Sequence, residues 1–157
     1  MLTSAPRSLM LSTPEETASL AARFGAALRP GDVLLLSGSI GAGKTHFARA
    51  LIKSLLLVEE DVPSPTFTLV QVYDSTRGEI WHADLYRLST ADEAIELGLT
   101  EAFESAICLI EWPDRLGTLA PPNALHLAFA TTEEDDARTL TLTPGDGWAP
   151  RLSELLA

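Results

Sequence analysis

Gly38-Ser39-Ile40-Gly41-Ala42-Gly43-Lys44-Thr45 is the stretch on which the reading of this 157-residue chain turns. It meets the pattern G-x-x-x-x-G-K-[ST] at every fixed position, the signature of a loop that wraps phosphate groups. Gly38, Gly41 and Gly43 let the backbone curl so that successive N–H groups point inward at phosphate oxygens. A helix starting at the end of the loop adds the positive end of its dipole. Lys44 suits the bridge between β- and γ-phosphates, and the Thr45 hydroxyl suits Mg²⁺. Gly41, Ala42, Gly43, Lys44, Thr45 and His46 are therefore the candidate phosphate-binding run. His46, like His126, reads from its own neighbours as an ordinary surface or packing histidine.

With Gly near 7% of residues, the four fixed positions arise by chance in roughly one 150-residue chain in a few hundred, so context has to decide. Val33-Leu34-Leu35-Leu36 precedes the loop, a continuous apolar run typical of a strand covered on both faces. A helical pattern over about residues 44–57 follows it. Lys44 is also one of only two lysines, the other being Lys53, and it stands where the chemistry requires one.

A loop of this kind needs a second acidic group near Mg²⁺, usually an Asp at the end of an apolar strand. Ala106-Ile107-Cys108-Leu109-Ile110 is such a strand and ends in Glu111, which offers the same carboxylate on a longer arm. An ordinary strand-end carboxylate is the plain alternative. In His82-Ala83-Asp84-Leu85-Tyr86-Arg87 the residues His82, Asp84 and Tyr86 share one face if the strand continues. Asp84 reads as a carboxylate that orients an attacking water or the Mg²⁺ shell. His82 with Asp84 makes a weak metal pair, because no further ligand cluster is apparent. Arg87 reads as a structural partner for one of the many carboxylates. Ser64-Pro65-Thr66-Phe67-Thr68 lies after the loop helix, where Ser64 or Thr66 could reach a γ-phosphate. A solvated turn explains those residues about as well.

The remaining elements follow from local signals. Thr13-Pro14-Glu15-Glu16 is a capping box with Pro at the first helical position, and apolar residues continue at helical spacing to Pro30-Gly31. Residues 67–73 and 79–83 read as strands of a hairpin around 74–78. Thr90-Ala91-Asp92-Glu93 is a second capping box, and its helix stops at Gly98. Residues 124–131 and 138–143 alternate in period two and form another hairpin, and a short helix starts near Pro150. This order predicts an α/β fold: one P-loop NTPase-like domain over residues 1–157, with a mixed parallel and antiparallel sheet flanked by helices. Residues 1–11 read as a flexible N-terminus.

Composition removes other classes. The 22 acidic and 11 basic side chains give a net charge of −11, which argues against autonomous binding to a phosphate backbone. One cysteine, Cys108, excludes an internal disulfide and a Cys-based zinc cluster, and fits a reducing compartment. No run approaches the roughly 18 apolar residues of a membrane span, and no signal-peptide core is present near residue 1. The expectation is a cytoplasmic protein without a membrane partner.

Gly-Ala-Gly-Lys-Thr (41–45), Ser-Pro-Thr-Phe-Thr (64–68), His-Ala-Asp-Leu-Tyr-Arg-Leu (82–88) and Ile-Glu-Trp-Pro (110–113), in this order, resemble the bacterial TsaE (YjeE) family over about residues 12–145. The resemblance implies a small ATPase, with ATP and Mg²⁺, required for N6-threonylcarbamoyladenosine at position 37 of tRNAs that read codons beginning with A. It implies phosphate and Mg²⁺ binding by Lys44 and Thr45, an acidic Mg²⁺ group at Glu111 and an essential second carboxylate at Asp84. It also implies a switch-like loop at Ser64 to Thr66 and Trp112 beside the nucleotide. The segment from Pro14 through Glu16 to Thr17 would lie near the adenine, and Arg138 would lie near the nucleotide. The implied partners are the TsaB and TsaD proteins, with tRNA reached through them. One departure is visible: Ser39-Ile40 stands where the family usually has an acidic residue followed by Leu.

Two other functions fit a phosphate loop. A small-molecule kinase would need an acceptor pocket and usually an arginine-bearing lid; no insertion here is long enough for a lid domain. A nucleotide-dependent interaction switch without turnover would not need Asp84 and Glu111. ATP over GTP rests on the resemblance, there being no guanine-reading N-K-x-D motif.

Overall fold

The computed structural model describes residues 5–157. In chain order the elements are β1 (Arg7–Leu11), α1 (Pro14–Ala27), β2 (Val33–Ser37), α2 (Lys44–Leu55), β3 (Val70–Ser75), β4 (Gly78–Asp84), α3 (Asp92–Glu96) and α4 (Leu99–Ser105). Then come β5 (Ile107–Glu111), a 3₁₀ segment (Pro113–Leu119), β6 (Leu125–Thr131), β7 (Arg138–Thr143) and α5 (Trp148–Leu155). Among the described residues seven strands form one sheet in the order β1-β7-β6-β2-β5-β4-β3. The central strands β4, β5, β2 and β6 are mutually parallel, while β3, β7 and β1 extend the sheet antiparallel. The α/β class with a mixed sheet is as expected.

Burial explains why the two apolar runs were legible. Val33 to Leu36 and Ile107 to Ile110 are buried on both faces, so neither strand needs to alternate. On one face Leu34, Leu36, Ile80, Ile107 and Leu109 pack under α1 and α2, against Phe24, Phe47, Leu51 and Ile52. On the other, Leu35, Ala83, Cys108 and Ile110 meet Leu99, Phe103 and Leu116. β6 does alternate, with Leu125, Leu127 and Phe129 buried and His126, Ala128 and Ala130 exposed.

The Thr13 capping box closes as expected: Thr13 Oγ1 accepts from the Glu16 amide at 3.1 Å, and the Glu16 carboxylate accepts from the Thr13 amide at 3.2 Å. At the second box only Glu93 takes part, accepting from the amides of Ser89 and Thr90.

Several elements differ from the sequence reading. Within the stretch read as a flexible N-terminus, residues 7–11 are a strand, paired with β7 so that Leu9 faces Leu140; residues 1–4 lie outside the described residues. Helix α4 and the 3₁₀ segment were not expected. The β3–β4 hairpin is tighter than expected, with Thr76 and Arg77 at its turn, and α2 ends at Leu55 instead of 57. Among the described residues no helix is long and apolar enough to cross a membrane.

Cys108 carries a direct prediction. It is fully buried, and burial pushes its thiol up to about 12 from 9.0. The native protein is therefore expected to resist iodoacetamide at pH 8 and to react once unfolded in denaturant, as mass spectrometry would show. Its contribution to stability is complete below pH 9.0 and is lost as pH rises toward about 12, because only the unfolded chain ionises freely in that window.

Candidate functional site

The carboxyl ends of β2, β4 and β5 lie side by side, where open α/β sheets place their ligand crevices. Chain continuity puts the glycine loop immediately after β2. Register puts Asp84, the last residue of β4, beside Glu111, the last residue of β5, and Leu36 beside Glu111 on its other side. Three segments far apart in sequence thus deliver their functional ends to one edge.

The loop adopts the curled form its glycines allow. Gly38, Gly41 and Gly43 have φ of 138°, 82° and 110°, all in the left-handed region. Gly43 caps α2, and the Phe47 amide donates to its carbonyl. Lys44 is buried beneath the loop, its ammonium donating to the carbonyls of Gly38 (2.6 Å) and Ser39 (3.0 Å) and lying 4.3 Å from the centre of a Trp112 ring. Burial lowers its pKa, partly countered by the negative charges of Glu111 and Asp84. A buried cation beneath a collar of glycine backbone is a site shaped for an anion.

Glu111 is almost wholly buried and held at both oxygens. Thr45 Oγ1 donates to Oε1 at 2.7 Å, and His82 Nε2 lies 2.7 Å from Oε2. Asp84 is also fixed twice: the Tyr86 amide donates to Oδ1 at 3.0 Å and Thr66 Oγ1 to Oδ2 at 3.4 Å. Ser64 and Thr66 hydroxyls are 2.8 Å apart, so the 64–68 loop is linked to Asp84 through Thr66. Leu69, at φ 68°, anchors that loop by donating to Pro65 O and accepting from the Asp84 amide.

These groups open into a cleft of about 560 Å³ lined by Thr45, Thr66, Asp84, Glu111, Trp112 and Arg138 among others, a size suited to a small organic ligand. Trp112 holds a left-handed backbone at φ 59° directly before Pro113, the kind of strain, about 1–3 kcal/mol, that persists only where surrounding contacts enforce it. Here Lys44 and Tyr86 flank its side chain, the Tyr86 ring at 4.9 Å. Arg138 crosses from β7 and donates to the Gly41 carbonyl at 3.2 Å, tying the strand to the loop.

Most of the expected site residues meet here, but not all. Pro14, Thr17 and His46 line the cleft, and His46 Nε2 lies 3.0 Å from Pro14 O, joining the starts of α1 and α2. Glu16 does not line it; its carboxylate is committed to the amides of Ser12 and Thr13 at the helix cap. Ser64 and Ala42 do not line it: Ser64 is exposed and bonded to Thr66, and the Ala42 side chain is buried within the loop. Arg87, expected to pair with a carboxylate, instead lies over the Phe67 ring at 4.6 Å. His82 and Phe129 were missed as site residues. Period-two placement beside Asp84 was the one available signal for His82, while Phe129 reaches the cleft only because β6 pairs with β2.

The donor set fits a polyphosphate carrying one divalent cation. Thr45 and Glu111 supply two oxygens, and the described residues contain no cluster of three or more His, Cys, Asp or Glu that could hold a metal. A magnesium ion commonly binds in this way, through one or two protein groups completed by phosphates and water.

The sheet and loop together define a P-loop NTPase-like α/β domain. A family model described as threonylcarbamoyl adenosine biosynthesis protein TsaE matches residues 11–140. The chain is 38% identical over 134 residues to a tRNA threonylcarbamoyladenosine biosynthesis protein TsaE of Rickettsia bellii, covering 85% of this chain and 92% of that protein. It is 37% identical over 131 residues to the Bacillus subtilis protein of the same name, covering 83% and 80%. The crystal structure of Bacillus subtilis YdiB superposes with a TM-score of 0.79 at 30% identity, over 99% of this chain and 95% of that one. The chain belongs to the TsaE family, whose role is in tRNA threonylcarbamoyladenosine biosynthesis.

Proposed function

We propose that this chain is a cytoplasmic, Mg²⁺-dependent ATPase that supports threonylcarbamoylation of adenosine 37 by acting on a TsaB–TsaD transferase complex. The observation that supports this reading most is the meeting of Lys44, Thr45, Glu111 and Asp84 around one cleft. Lys44 pairs with the β- and γ-phosphates of ATP. Thr45 and Glu111 hold the cation, which when bound neutralises phosphate charge. Asp84, fixed by Tyr86 and Thr66, orients the attacking water. Thr66, backed by Ser64, reads the γ-phosphate; Pro14 and Thr17 lie toward the adenine, with Trp112 and Arg138 bordering the nucleotide. The net charge of −11 suits docking on a basic protein surface and leaves tRNA to the partners.

Reconstitution tests this reading. The purified chain is expected to hydrolyse ATP slowly, with a rise of about tenfold or more when TsaB and TsaD are added, as for enzymes limited by a conformational or release step. Modified tRNA counted per transferase complex should pass a single turnover only when this chain and ATP are both present. Absence of both effects would remove the proposal, and phosphate appearing on an added sugar or nucleoside would favour a kinase.

A further inference from the structure

We infer that His82 is a positioning residue that sets the Glu111 carboxylate for the cation, an inference resting on the nucleotide–magnesium reading of the cleft. Ile80, His82 and Asp84 occupy one face of β4, and Ile107, Leu109 and Glu111 the same face of β5, under α1 and α2. In that position Ile80 and Leu109 are fully buried aliphatics, and His82 is as buried as they are. An imidazole there is costly unless hydrogen-bonded. Its one such contact among the described residues is Nε2 to Glu111 Oε2 at 2.7 Å; Nδ1 has none.

A carboxylate oxygen only accepts, so Nε2–H is the donor. With Oε2 occupied by His82, Oε1 is the oxygen turned to Thr45 Oγ1, at 2.7 Å. His82 thereby selects which Glu111 oxygen faces the loop and blocks rotation of the carboxylate. Among the described residues its side chain has no hydrogen bond to the P-loop or to Lys44, so it acts through Glu111. Polar groups that hold a metal-ligating carboxylate typically change metal affinity by about 10–100-fold when removed.

The test is calorimetric titration of the full chain with a non-hydrolysable ATP analogue, in excess Mg²⁺ and in EDTA. Wild type should bind more tightly with Mg²⁺. His82→Leu should keep the EDTA affinity and lose about tenfold or more of the Mg²⁺-dependent gain. His82→Gln, whose amide nitrogen reaches near the Nε2 position, should retain most of the gain; His82→Asn, which is too short, should lose it. Should His82→Leu fail to fold, the Gln and Asn variants decide, since both are polar and only one reaches Glu111. A wild-type chain without any Mg²⁺-dependent gain overturns the cleft reading and this inference with it. A normal wild-type gain, undiminished in His82→Leu or equal in His82→Gln and His82→Asn, overturns the inference alone.

Discussion

Asp84→Asn is expected to lower ATP hydrolysis by about 10²–10⁴-fold, the range for removing a positioned acid–base or water-orienting group. ATP affinity should change by less than about threefold, because the loss falls on the transition state and not on ground-state binding. The separation follows from how Asp84 is held. Its Oδ1 accepts from the Tyr86 amide and its Oδ2 from Thr66 Oγ1. Asparagine reproduces the first bond with its carbonyl oxygen, and its amide can donate to the Thr66 hydroxyl in place of the second. The backbone bond from the Asp84 amide to Leu69 O is untouched, so the 64–68 loop stays anchored. What disappears is the negative charge at the end of β4. Single-turnover hydrolysis alongside equilibrium binding checks the prediction. Wild-type hydrolysis by Asp84→Asn would show that the charge plays no part in catalysis, and an equal loss of binding would place Asp84 in ground-state recognition.

The sequence disclosed the parts of this site whose signals are local. The glycine loop, its strand and its helix are contiguous, and a strand buried on both faces writes itself as an apolar run. Glu111 was legible because it ends such a run, and Asp84 because it stands in a short polar cluster directly after Ile80-Trp81. Features that depend on sheet register were not. Strand β1 is an edge strand among the described residues, paired with β7, which lies more than 120 residues away in sequence, and five residues such as Arg7–Leu11 carry too little pattern to announce themselves. His82 looks like any polar residue beside Asp84 until the β4–β5 register sets Glu111 against it. Glu16 errs in the opposite direction: its segment reaches the cleft, yet its carboxylate is already spoken for by the helix cap, a local signal the capping box had displayed.

Gly38→Ala separates shape from chemistry in the loop and is expected to cost about 3 kcal/mol of stability, combining backbone strain with a hard overlap. A Cβ at this position would lie 2.4 Å from the Phe129 carbonyl oxygen, on a residue with φ of 138°. That oxygen cannot yield as a flexible side chain would. Phe129 is paired with Leu140 in the β6–β7 ladder, and its ring packs at 5.5 Å against Phe47 in the core. The loop must move instead, and the Gly38 carbonyl that accepts from the Lys44 ammonium moves with it. ATP binding should therefore weaken by about a hundredfold or more, as expected when a charge-assisted contact set is displaced as a unit. Gly41→Ala is the control. Its Cβ would meet nothing within 4 Å, so only the left-handed backbone at φ 82° resists, about 1–2 kcal/mol. Denaturant unfolding of the two variants should rank Gly38→Ala well below Gly41→Ala. Equal stabilities would mean that β6 retreats from the loop at little cost, and the close approach of Phe129 would then have no part in holding the phosphate loop in shape.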